Sequence, residues 1–142
     1  MQFGGSILFS FSVISFSIAR KILEHTNKNI DKKNKGIHLR LYTFAEQVFN
    51  FLAGNWYGEI NEDMVNTGLK SGDLFFTCGY LLYSCYMKIE MGDFETCKKI
   101  INKANSISEE YNYEHARSDF YVLNSILLMK KGKTHARIKI SA

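Results

Sequence analysis

Proline is absent from the 142-residue chain, where average usage of about 5% would place roughly seven. Proline breaks helix interiors and marks loops and sheet edges, so its absence favours long helices joined by glycine and asparagine turns. Cysteine is scarce and odd in number: Cys78, Cys85 and Cys97 form no C-x-x-C pair and have no histidine at ligand spacing. That pattern argues against a disulfide framework or a zinc site and for buried free thiols in a reducing compartment. The lack of an N-x-S/T sequon fits the same compartment, the cytoplasm.

Catalytic motifs are equally missing. There is no G-x-x-x-x-G-K-[ST] phosphate loop, no H-E-x-x-H and no G-x-S-x-G. His25, His38, His115 and His135 are scattered singly, and Asp93, Glu95, Glu109, Glu110 and Asp119 form no obvious carboxylate pair. The sequence therefore predicts a non-enzyme with no cofactor and no metal, although a site assembled in three dimensions would leave no such motif. Net charge is +4. The excess sits between Arg20 and Arg40, where Lys21, Lys28, Lys32, Lys33 and Lys35 accompany Glu24 and Asp31. Without a basic stripe interleaved with exposed aromatics, it reads as a solvated loop, and no nucleic-acid partner is expected.

What is present is ring and aliphatic surface: 46% hydrophobic residues and 14% aromatics against 23% charged. This is the composition of one packed core rather than of disorder. Residues 3–19, FGGSILFSFSVISFSIA, admit three readings. A secretory signal or membrane anchor would explain the apolar run, but no basic residue precedes it, Arg20 and Lys21 follow it, and five serines dilute it. Alternation over Phe9–Ser12 suits a strand but breaks at Val13-Ile14. A helix over 3–26 is preferred, because the apolar pattern continues past Arg20 through Ile22 and Leu23.

Beyond it, helical spacing and turn residues predict helices over 37–53, 59–70, 74–91, 94–111 and 113–131. On 94–111, Phe94, Cys97, Ile100, Ile101, Ala104 and Ile107 trace one face. On 113–131 the apolar set is Phe120, Leu123, Ile126, Leu127 and Leu128. Asp73 and Asp93 are placed to cap the helices that follow them. Gly54, Gly92 and Gly132 are read as helix stops 38 and 40 residues apart, the mark of a helical repeat. Residues 1–132 then form one repeat domain, and 133–142 a short basic tail, a truncated repeat.

Around Gly92 the chain resembles a tetratricopeptide-type repeat. Cys85 supplies the small residue midway along a first helix, Gly92 the tip and Phe94 the aromatic two later. On the second helix Cys97 is the small residue, Ile101 the large apolar one and Ala104 the alanine. The proline that often ends the family unit is missing, with Glu109 near its place, and the match around Gly54 is degenerate. The resemblance implies an all-α fold of TPR-like antiparallel helix pairs in a short right-handed superhelix. FNFLAGNWYGEINEDMVNTGLKSGDLFF, followed by GYLLYSCYMKIEMGDFETC, is also similar to the helical repeat region of large bacterial signalling ATPases. There it lies between an AAA-type nucleotide-binding module and a cyclase or kinase output domain. The shared residues are packing and turn residues, so no catalytic residue carries over.

The resemblance implies interaction rather than catalysis. Its concave surface would be lined by Leu82, Tyr86, Ile89 and Glu90 from one pair, and by Asp119, Val122, Ile126, Met129 and Lys130 from the next. Its partner would be a protein or peptide, or other domains of a larger chain, with a membrane partner not expected. Since nothing follows Gly132 to cover Leu127 and Leu128, the sequence further predicts a fragment of a larger protein, or self-association through this end. A small secreted or membrane-tethered helical protein is the alternative, with residues 3–19 as its signal or anchor.

Overall fold

The computed structural model describes residues 16–33 and 36–141, with side chains placed through Gly132. Six helices occupy them: α1 Phe16–Asn29, α2 Ile37–Leu52, α3 Glu62–Lys70, α4 Leu74–Glu90, α5 Phe94–Glu110 and α6 Glu114–Ser141. The chain is all-α, with no strand among the described residues. It divides into two compact units between Tyr83 and Ser84, inside α4. Of the helix expected over 3–26, residues 3–15 lie outside the described residues, as does the alternating stretch Phe9–Ser12. α1 runs past Thr26 because its polar end bonds to itself: Asn29 Nδ2 donates to the His25 carbonyl at 2.7 Å.

Four helix ends share one hydrogen-bond pattern. Each has a residue of positive φ: Gly54 at 75°, Gly72 at 72°, Gly92 at 76° and Asn112 at 50°. The amide of that residue bonds three residues back, and the next amide bonds five back. Gly92 N donates to Ile89 O at 3.1 Å and Asp93 N to Lys88 O at 2.9 Å; Asn112 N donates to Glu109 O at 3.4 Å and Tyr113 N to Ser108 O at 2.9 Å. This double bond set satisfies carbonyls that a helix end otherwise strands, and it needs a left-handed residue that glycine supplies without a Cβ penalty.

The stops at 72, 92 and 112 are twenty residues apart, so the period belongs to single helices as much as to pairs. Gly132 is not among them. It has no positive φ, and α6 continues through it to Ser141, correcting the expected end at 131 and the separate tail. A glycine in mid-helix costs about 1 kcal/mol against alanine, which the surrounding helix tolerates; it stops a helix only where the chain actually turns.

The starts are set by caps. Asn61 Oδ1 accepts from Met64 N at 3.0 Å, which moves the start of α3 from 59 to Glu62. Asp73 Oδ1 accepts from Phe76 N at 3.4 Å and Asp93 Oδ1 from Thr96 N at 3.1 Å. The bonds from Thr96, aided by Lys88 and Lys99, hold the Asp93 carboxyl below its ordinary 3.8. A carboxyl depressed on folding stabilises the fold above its unfolded value, and that stability is lost as pH falls through the folded one. The Asp93 carboxyl carbon should therefore titrate in the folded protein with a midpoint below 3.8 by NMR. Asp93→Ala should cost about 1 kcal/mol at neutral pH, whereas Asp93→Asn should keep most of the cap and lose its acid dependence. A midpoint at or above the ordinary value would refute this account.

In the first unit α1 and α2 close a core of Ala19, Leu23, Tyr42, Ala45 and Phe49. Two glycines in this unit admit close approach. A Cβ on Gly79 would sit 2.7 Å from the Phe44 ring, and one on Gly68 would run into Thr77 Oγ1. Phe44 heads a chain of rings, 5.6 Å from Phe76 and 6.0 Å from Tyr83, with Tyr83 5.6 Å from Phe51. Arg40 sits beside Gly68, only 7% exposed, and its Nε donates to Asp73 Oδ2 at 2.7 Å.

In the second unit α5 packs along α6. Its core holds Cys85, Cys97, Ile100, Ile101, Ala104 and Ile107, with Phe120, Leu123 and Leu127 from α6. The small residues Cys85, Cys97 and Ala104 are completely buried, as close-packed helices require at their contacts.

Candidate functional site

The second unit carries the surface that departs most from an ordinary amphipathic helix. Helical residues advance by about 100°, so Ala116, Phe120, Leu123 and Leu127 share one side of α6, and all four are buried. On the opposite side Tyr121 is 76% exposed, Val122 55%, Leu128 62% and Met129 63%. Such a helix has two apolar faces, and the described residues cover only one. Single exposed apolar side chains are common, but a cluster along one helix face marks an interaction surface.

Charge borders this face. Lys130 Nζ donates to Glu90 Oε1 at 2.7 Å, and Lys131 Nζ to Glu95 Oε1 at 2.7 Å, tying α6 to the end of α4 and the start of α5. The carboxyl of Glu95 is lowered by its bond from Lys131. Toward the other end, Asn105, Glu109, Arg117, Phe120, Tyr121 and Asn124 line an open polar cleft of about 180 Å³ between α5 and α6.

The expected groove residues separate on this geometry. Glu90 and Lys130 are brought together as an ion pair. Val122 and Met129 lie on the exposed apolar face, and Asp119 is exposed at its edge. Tyr86 and Ile126 are half-buried. Ile89, at 3% exposure, is a core side chain and lines no open surface. It points inward because it falls in line with Cys85, four residues earlier on α4 and completely buried. Leu82 is half-buried and falls in the first unit. Tyr121 was not expected here, and of Leu127 and Leu128, expected to be left uncovered together, Leu127 is buried against α5 at 2% exposure while Leu128 is 62% exposed. The signal lay in the seven-residue spacing of Tyr121 to Leu128 and Val122 to Met129, which sets a second stripe beside the 120, 123, 127 core pattern.

Two of the three buried thiols, Cys78 and Cys85, are shifted away from the thiolate. Burial, with Asp73 nearby, pushes Cys78 up to about 11. The hydrogen bond to Cys97 and burial raise Cys85 further. Since the thiolate is the nucleophile, these two thiols stay protonated at neutral pH, whereas the bond shared with Cys85 lowers the completely buried Cys97 thiol. Among the described residues no cluster of His, Cys, Asp and Glu could hold a metal ion, and no helix is long and apolar enough to cross a membrane. No family model, curated protein or solved structure matches the chain.

Proposed function

We propose that the chain is a non-catalytic helical module that works by holding a protein segment against the outer face of α6. The observation that carries this reading is the exposure of Tyr121, Val122, Leu128 and Met129 on the side of α6 opposite its buried residues. A partner helix laid on that face would find anchors at i, i+1, i+7 and i+8 and charges at the rim, the usual chemistry of helix recognition.

The stops at 72, 92 and 112 and the buried small residues Cys85, Cys97 and Ala104 support a TPR-like pairing of helices. In that reading α4 with α5 is one unit, and the partner is a separate protein or another domain of a larger signalling ATPase. The three buried, unbridged thiols support a reducing, cytoplasmic setting.

Installing a photoreactive amino acid at Met129, and separately at Asn102 on the polar side of α5, tests the reading in an extract of the source cells. A discrete protein adduct should form from 129, be absent from 102 and disappear when Val122→Glu is added. No discrete adduct at 129, or the same products from both sites, would contradict it.

A further inference from the structure

The middle of the exposed α6 face is a stripe of small residues. Ser118, Ser125 and Gly132 are spaced by seven, all exposed, so they fall within about 20° of one line along the helix. Tyr121 and Leu128 flank the line on one side, and Val122 and Met129 on the other. Gly132 has no turn to make, and a Cβ there would meet nothing within 4 Å. A glycine so placed is unfavourable relative to alanine for the isolated helix but lets a neighbouring backbone come close.

We propose that the occupant of this face is a second copy of the chain, the two α6 helices packing antiparallel about a two-fold axis at Ser125. The inference rests on the reading of α6 as a binding surface and adds its partner. Reversing the helix about Ser125 sets Tyr121 against Leu128 of the second copy, Val122 against Met129, and Ser118 against Gly132. Each of these contacts occurs twice by symmetry, the self-complementarity that an isologous pair requires. Ser125 meets its own copy on the axis. Its hydroxyl already donates to the Tyr121 carbonyl at 3.1 Å, so covering it strands no donor.

Charge selects the antiparallel direction. The end of α5 and the first half of α6 carry Glu109, Glu110, Glu114 and Asp119 against Arg117. At the other end Lys88, Lys98, Lys99, Lys130 and Lys131 outnumber Glu90, Asp93 and Glu95. Antiparallel packing brings the acidic end of each copy to the basic end of the other, whereas parallel packing would oppose like ends.

Light scattering across a concentration series, combined with Ser125→Cys and Ser106→Cys variants under a mild oxidant, tests the proposal. A reversible dimer is expected, weakened at least about a hundredfold by Leu128→Glu. The cysteine at 125 should cross-link chain to chain, and the one at 106, exposed on α5, should not. Leu128 is 62% exposed, so the glutamate variant should keep its helical circular dichroism; Met129→Lys serves as a second disruption of the same face. A monomer at every concentration would overturn self-pairing, and so would a dimer indifferent to Leu128→Glu that cross-links equally through 106. In either case, an adduct from position 129 to a different protein would leave the binding surface standing without the homodimer.

Discussion

Arg40→Met should cost the folded chain about 3–5 kcal/mol in urea unfolding, because it leaves the charge of Asp73 buried without its partner. The side chains of Arg40 and Asp73 are 8% and 11% exposed and meet at 2.7 Å. Asp73 also caps α4 through Oδ1, so the carboxylate cannot turn to solvent without releasing the Phe76 amide. The double variant Arg40→Met/Asp73→Asn should recover much of the loss, since asparagine keeps the cap and no uncompensated charge remains. If Arg40→Met alone cost less than about 1 kcal/mol, the value of a solvated surface pair, the ion pair would not be buried as described.

The second large effect contrasts neighbours. Phe120 is 1% exposed and Tyr121 76%. Phe120→Ala should cost about 3–5 kcal/mol, from lost transfer energy and the cavity left behind. Tyr121→Ala should change the stability of the monomer by less than about 0.5 kcal/mol, provided unfolding is followed at dilution sufficient to separate any pair. Comparable losses at both positions would mean that α6 is buried on both sides by its own chain.

Much of the architecture was legible from local chemistry. Gly54, Gly72 and Gly92 end helices, and Asp73 and Asp93 begin them, because capping and left-handed turns depend on residues only a few positions apart. Gly132 misled for the same reason: glycine permits a stop, but the chain turns only where a succeeding helix folds back. Arg40 read as one more cation in a solvated basic stretch, since its partner lies 33 residues further on. The candidate surface was half legible. Val122 and Met129 were implied by the resemblance to a helical repeat, but which apolar stripe of α6 would be covered depended on its packing with α5. That packing took Phe120, Leu123 and Leu127, and left Tyr121 and Leu128 outside. Ile89 went the other way, into the core.

The two apolar faces of α6 have different fates, which thiol-modification rates at single cysteines placed at 120–123 and 127–129 would measure directly. The native thiols are buried and should react slowly. Cysteines at 120, 123 and 127 should be slow at every protein concentration. Those at 121, 122, 128 and 129 should be fast in dilute solution and slow down as concentration rises and the outer face becomes covered. Equal rates around the helix, or protection at 121 and 128 that is already complete at high dilution, would contradict the account.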